Sequence, residues 1–172
     1  AYPTFSFNDI EIFFSLTQAG TKVVSMVDCV DHVKAIEKFW NRFSSENNYK
    51  ARVCIDVDMS YRPAGLHLGV YRSPIRTFEQ FKELFDKISQ IENIEISGIM
   101  GYEAQIAGMG ERNPFSPILN PAKQFIKYWS TRDVYKKRQA VHQYLEEEGF
   151  NLDFYNGGGS GSLLSTSKEP WI

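Results

Sequence analysis

The stretch TFEQFKELFDKISQIENIEISGIMG, Thr77 to Gly101, holds one complete helix–strand unit. Thr77 is followed three residues later by Gln80, a capping-box pattern that opens a helix. Phe78, Phe81, Leu84, Phe85 and Ile88 recur at helical spacing and form one apolar face. Ile94-Glu95-Ile96-Ser97-Gly98-Ile99-Met100 then reads as a strand, and a polar, Gly-rich loop runs from Gly101 to Pro117. The same unit recurs on both sides. Upstream, Lys22 to Asp28 is a buried strand, and Asp31 to Phe43 is a helix with Asp31 as N-cap and Val33, Ile36, Phe39 and Trp40 apolar. Arg52 to Asp58 is the next strand, followed by a long loop carrying Pro63, Gly65, Gly69 and Pro74. Downstream, a helical region runs from about Pro121 to Glu148, with an interruption near Ser130, and stops at Gly149. Leu152 to Tyr155 is the fourth strand. At the front, Asn8 to Gln18 reads as a helix with Ile10, Ile12, Phe13 and Leu16 apolar, and Ala1 to Thr4 as the tail of an earlier strand.

Strands alternating with helices argue for an α/β fold with a parallel sheet and crossover helices. Two architectures compete, a doubly wound sheet and a (β/α)8 barrel, and both place chemistry at the C-terminal ends of the strands. The long loops do follow strands: Ser60 to Arg76, Gly101 to Leu119, and Gly157 onward. The loops that lead into strands are short. A barrel usually needs about 250 residues, so a chain of this length holds roughly four and a half of its units. The barrel reading therefore expects an incomplete barrel within a single α/β domain. The chain starts with Ala, not Met, and ends just after a Gly-rich loop, so neither end reads as a finished terminus.

Composition narrows the function classes. The 172 residues carry Lys+Arg 19 against Asp+Glu 21, a formal charge of −2. No net positive field exists to collect nucleic-acid phosphates. With 42% hydrophobic and 15% aromatic residues the chain can bury a sizeable core and is not a disordered segment. No apolar run approaches the roughly 18–20 residues that span a bilayer, and no secretory signal opens the chain. Cys29 and Cys54 read as small buried hydrophobes in a reducing, cytoplasmic setting. Neither is read as part of a zinc motif, and no metal ligands are expected among these residues.

Three segments bear chemistry. Phe154-Tyr155-Asn156-Gly157-Gly158-Gly159-Ser160-Gly161-Ser162 runs from a strand into glycines suited to φ > 0 and to close backbone approach. Successive N–H groups there can cradle an anion such as a phosphate monoester, and a helical turn opening at Ser162 would add donors. A flexible Gly/Ser linker is the alternative. The cradle is preferred because the run follows a strand abruptly and Leu163-Leu164 continues the fold. Ile55-Asp56-Val57-Asp58-Met59-Ser60-Tyr61-Arg62 places carboxylates at a strand end near an arginine, as an active-site rim or as an ion pair that ties down the loop. Ser97-Gly98-Ile99-Met100-Gly101-Tyr102-Glu103 brings Tyr102 and Glu103 to the same end, where an aromatic ring can wall a planar ligand. Among His32, His67 and His142, only His67 falls in such a loop. Tyr135-Lys136-Lys137-Arg138 reads as a solvated helix face.

Taken together these segments resemble the alanine-racemase-type barrel of pyridoxal-phosphate enzymes, closest to the D-threonine aldolase, D-serine dehydratase and amino-acid deaminase branch. Ile55 to Arg62 resembles the I-D-V-D-x-x-x-R strand, with His67-Leu68-Gly69-Val70 matching the loop ending G-V. Gly98-Ile99-Met100-Gly101-Tyr102 matches a G-I-M-x-Y strand end, and Gly157 to Gly161 matches G-G-G-[ST]-G. Val24 to Val33 resembles the strand–helix step after the early barrel strands. The resemblance implies part of a (β/α)8 barrel acting on a small, D-configured amino acid by racemisation, aldol cleavage or elimination, with a non-catalytic pyridoxal-phosphate carrier barrel and an unrelated barrel enzyme that binds a sugar phosphate as the alternatives. It implies pyridoxal 5′-phosphate seated on the backbone from Asn156 to Gly161, with Tyr102 against the pyridine ring. It implies Arg62 near the phenolic oxygen or the substrate carboxylate, with His67 or Arg72 as alternatives for that position. The family's Schiff-base lysine stands on a first barrel strand that has no counterpart here, and Lys22 lies on the plain side of the sheet. A divalent metal belongs, in this branch, to a C-terminal β-domain. The chain alone is therefore expected to be inactive, and to associate as an oligomer through its open barrel edges.

Overall fold

The computed structural model describes residues 3–43, 49–108 and 120–172. Its elements are α1 (Phe7–Gln18), β1 (Ser25–Val27), α2 (Val30–Phe43), β2 (Ala51–Asp56), a single helical turn at Pro63–Gly65, α3 (Phe78–Ser89), β3 (Ile94–Met100), α4 (Ala104–Ala107), α5 (Asn120–Glu147), β4 (Phe154–Asn156) and α6 (Leu163–Thr166). The strands form one sheet in the order β1-β2-β3-β4, and every neighbouring pair is parallel. A doubly wound sheet reverses its strand order at a switch point. This sheet adds each strand beside the last without reversal, as a barrel does. The strands are short; β2 is buried at Ala51 and from Val53 to Asp56, and β3 is buried apart from Glu95 and Met100, whereas β4 exposes Phe154 and Asn156. The burial along β2 and β3 is the mark of a parallel sheet covered on both faces.

Local chemistry explains the helices. In α3 the Thr77 hydroxyl accepts from the Gln80 N–H at 3.3 Å, and the Gln80 side chain accepts from the Thr77 N–H at 3.2 Å. This is the reciprocal cap expected from the sequence. Phe81, Leu84, Phe85 and Ile88 are buried on its inner face. Fully burying one such side chain is worth about 1.5–3 kcal/mol. In α2, Val33, Ile36, Phe39 and Trp40 are buried as expected, but the helix begins at Val30, so Asp31 lies in its first turn instead of capping it. The α1 helix is capped by Ser6 and packs Phe13 and Phe14 on Trp40, each ring 4.9 Å from it. Ile12 and Leu16 face outward, because Ile10, Phe13 and Phe14 already cover the inner stripe.

Several sequence expectations are corrected. The α5 helix runs without interruption, and Ser130 is fully buried within it. The segment after Gly101 is not all loop, because Ala104–Ala107 forms a helical turn. Its stretch 109–117 lies outside the described residues, as do Ala1 and Tyr2, while Pro3 and Thr4 are not in a strand. Gly149 does end α5 with φ +66°, and the Phe150 N–H reaches back to the Leu145 carbonyl at 2.8 Å. No helix among the described residues is long and apolar enough to cross a membrane.

Candidate functional site

Strand direction gathers the polar groups at one end of the sheet. Asp56 ends β2 with none of its surface exposed, and the Arg72 Nε donates to its two oxygens at 2.7 and 3.0 Å. Burial pushes its carboxyl up to about 6, against the pull of the Arg72 guanidinium. Asp58 lies beyond the strand and serves the loop. Its carboxylate accepts from the Ser60 N–H at 2.7 Å and stands 3.5 Å from Arg62 and 3.6 Å from Arg76. The Asp58–Arg62 contact is thus the tie that holds down the loop. Gln105 fastens that loop to α4 by donating to the Met59 carbonyl at 2.6 Å.

The candidates of the sequence fall into two groups. The Arg72 guanidinium carbon stands 5.9 Å from the centre of the Tyr102 ring. Arg62 and His67 gather instead around Tyr71, with Arg62 5.9 Å from that ring and His67 stacked on it at 3.8 Å. Neither His67 ring nitrogen has a hydrogen-bond partner among the described residues. Of the three candidates for the arginine position, Arg72 is the one that meets Tyr102.

The Gly-rich loop follows β4 and packs on Tyr102. A Cβ at Gly159 would stand 2.9 Å from the Tyr102 ring and 2.9 Å from the Ala107 methyl. At Gly161 a Cβ would overlap the Ala107 carbonyl oxygen, and at Gly157 it would meet the Arg138 guanidinium at 2.6 Å. Close approach, not positive φ, is what these glycines supply. The described glycines with positive φ are Gly20, Gly65, Gly69 and Gly149, so the expectation of left-handed backbone in this loop is corrected. The Gly159 N–H donates to the Ser162 hydroxyl at 3.0 Å, within the loop. The N–H groups of Gly158, Ser160 and Gly161 donate to no acceptor among the described residues. Asn156 stays in the sheet, where its carbonyl accepts from the Gly101 N–H at 2.8 Å. Ser160 and Gly161 also line a cleft of about 580 Å³ whose other walls carry Lys127, Arg132 and Lys168. This cationic rim favours an anion at the loop.

Beneath the loop lies a sealed polar network that the sequence reading missed. Arg138 of α5 is 1% exposed. It pairs with Glu103 and with Glu169, the latter at 2.8 Å, and it donates to the carbonyls of Gly101, at 2.6 Å, and Gly157. Thr166 donates to the second Glu103 oxygen at 2.8 Å. Burial raises the Glu169 carboxyl above its ordinary range despite the Arg138 charge. The reading of Tyr135 to Arg138 as a solvated face is therefore wrong at Arg138, which joins β3, β4 and the tail. The signal was present: Val134, Arg138, Val141 and Leu145 share one buried stripe at helical spacing.

A third cluster stands at the end of β1. The His32 Nδ1 lies 2.8 Å from Asp28 Oδ1 and 3.2 Å from the Cys29 sulfur. The sequence reading placed both cysteines away from any histidine partner. Helix α2 corrects this for Cys29 by setting residues three and four apart on one face.

No family model matches the sequence, and no curated protein matches it. Solved structures do. A D-threonine aldolase from Filomicrobium marinum superposes with TM-score 0.63 and 12% identity, over 97% of this chain and 39% of that one. An alanine racemase from Clostridium difficile 630 gives TM-score 0.59 and 14% identity, over 90% of this chain and 34% of that one. The fold is a section of the alanine-racemase-type barrel. A D-threo-3-hydroxyaspartate dehydratase from Delftia sp. HT23 matches over all of this chain and 38% of its own, with TM-score 0.53 and 15% identity. The chain thus spans between a third and two-fifths of the length of these barrel enzymes.

Proposed function

We propose that this section of barrel is the cofactor-holding part of a pyridoxal-phosphate-dependent enzyme acting on a small amino acid, by racemisation, aldol cleavage or elimination. The observation that carries the reading is the meeting of Tyr102 with a glycine loop whose Gly158, Ser160 and Gly161 N–H groups have no acceptor among the described residues. A phosphate oxygen accepts what such donors offer. The Tyr102 ring supplies a flat wall beside that seat. Arg72, oriented by the buried Asp56, presents a fixed cation toward a carboxylate or phenolic oxygen. The cofactor, when bound, supplies an electron sink. The protein orients it and chooses the outcome. In this reading the Schiff-base lysine and any divalent metal come from chain beyond these 172 residues.

The reading also implies association, which the exposure of Leu163 and Leu164 beside the loop supports, at 64% and 83%. A cytoplasmic setting accords with the free Cys29 and Cys54.

Titration of the chain with pyridoxal 5′-phosphate, followed by absorbance and fluorescence, tests the seat. Saturable binding is expected without the absorbance band of a lysine-bound cofactor. Gly158→Asp should abolish it by setting a carboxylate against the phosphate. Gly158→Ala should keep it, because its Cβ meets only Thr166, at 3.3 Å. A lysine-bound band would overturn the assignment of the lysine to other chain. No binding by the parent chain would overturn the seat. Equal competition by inorganic phosphate and by sugar phosphates would place the loop in a sugar-phosphate enzyme.

A further inference from the structure

The cluster at the end of β1 plays no part in the seat proposed above, and it brings three potential ligand atoms together. Asp28 and Cys29 both approach the same ring nitrogen, His32 Nδ1, at 2.8 and 3.2 Å. A relay of the Cys–His–Asp kind uses both ring nitrogens, the thiol on one and the carboxylate on the other. This arrangement uses one nitrogen twice. If Nδ1 carries its proton, that single hydrogen faces two acceptors. If it does not, its lone pair faces the Asp28 carboxylate. Even with the thiol's weak S–H as a second donor, three atoms able to ligate a metal converge on one point.

We propose that Asp28, Cys29 and His32 form a binding site for a zinc-class divalent cation. Carboxylate oxygen, thiolate sulfur and imidazole nitrogen are the ligand types such an ion takes, and the three atoms already lie within 4.8 Å of one another. With ordinary zinc–ligand lengths, a tetrahedral site separates nitrogen from oxygen by roughly 3.3 Å and nitrogen from sulfur by roughly 3.6 Å. The two distances to Nδ1 need to open by only about half an ångström to reach this, within the reach of side-chain rotation. The backbone is held on both sides. β1 pairs with β2 through Met26 and Val27, and α2 begins at Val30. The Phe5 ring flanks the imidazole at 4.1 Å. Cys29 is partly exposed, so an ion can enter, while His32 and Asp28 are nearly buried. Three protein ligands leave a fourth position for water or an anionic ligand, the pattern of an open site. Asp28 follows β1 and Asp56 ends the neighbouring parallel strand β2, which puts the site at the same end of the sheet as Arg72 and Tyr102.

Cobalt(II) is the probe, added as its chloride to the full chain under reducing conditions. One ion per chain is expected, with the near-ultraviolet charge-transfer band of a cobalt–thiolate bond, and zinc chloride should displace it. Cys29→Ser should remove that band, since a hydroxyl replaces the thiolate with little change in shape. His32→Gln and Asp28→Asn should each weaken binding by about tenfold or more. Circular dichroism verifies that each variant is folded. Should His32→Gln not fold, the band in Cys29→Ser decides. Absence of saturable binding by the parent chain would overturn the site. So would binding that survives Cys29→Ser and His32→Gln but is lost in His142→Gln, because His142 and Glu146 pair elsewhere on the surface at 3.4 Å.

Discussion

Two arginines stand at the C-terminal end of the sheet, and their surroundings differ. Arg138 is enclosed. It faces two carboxylates, Glu103 and Glu169, and two main-chain carbonyls, and its own exposure is 1%. Arg72 holds one buried carboxylate, Asp56, and keeps 21% of its side chain exposed beside Tyr102. An enclosed cation whose two terminal nitrogens are committed to carboxylates and carbonyls is closed to a ligand from solvent, so it holds the loops together. An arginine that holds a buried carboxylate and stays partly exposed can still be reached by an anion from solvent. The difference teaches that burial, not charge or position at the strand ends, separates these two arginines, and under the proposed function it is Arg72 that is left within reach of an anion.

The sharpest way to break this comparison is Arg138→Met. Removing the cation leaves Glu103 and Glu169 buried beside each other, and such a loss costs about 3–5 kcal/mol. Urea unfolding should show a midpoint far below that of the parent chain. A shift of less than about 1 kcal/mol would place Arg138 among ordinary surface charges.

The Asp56 side is expected to show itself in pH dependence. Its folded carboxyl titrates at about 6 against an ordinary 3.8, so the folded state binds the extra proton between those values. Its contribution to stability is complete below the ordinary value and is lost as pH rises through about 6. The difference in unfolding free energy between the parent chain and Asp56→Asn should therefore fall from pH 4 to pH 6, by on the order of 2–3 kcal/mol, and then level off. Taking the difference cancels the other carboxylates. A flat difference would mean that Arg72 neutralises Asp56 fully, and that the two arginines play the same role.

The element order was legible because each helix carries a regular apolar stripe and each strand a short β-branched run. The choice of barrel over doubly wound sheet was not, since strand order is a non-local fact that no window of residues holds. The Gly-rich loop was found for a partly mistaken reason. Its glycines are needed where Tyr102, Ala107 and Arg138 press against the backbone, contacts that join positions far apart in the chain. Arg138 was passed over because Tyr135-Lys136-Lys137-Arg138 reads as one charged run. Four consecutive helical residues point around the whole axis, and the spacing from Val134 to Val141 puts Arg138 inward. Cys29 and His32 were separated in the reading although three residues apart at a helix start is a contact distance.

The glycines give the finest comparison within the loop itself. Gly161→Ala forces a Cβ into the Ala107 carbonyl, and backbone cannot swing aside as a side-chain end can. Overpacking of this kind costs about 1–3 kcal/mol. Gly158→Ala sets its Cβ against the Thr166 methyl at 3.3 Å, where a few tenths of an ångström of side-chain movement suffice. Its cost should stay below about 0.5 kcal/mol, the range of a substitution away from packed features. Thermal unfolding of the two variants side by side measures the contrast. Equal and small effects would mean that the loop is not held against α4, and the Tyr102 wall would lose the support that positions it. The expected inequality would mark Gly161 as a glycine packed on backbone and Gly158 as one whose nearest neighbour is a side chain that can give way.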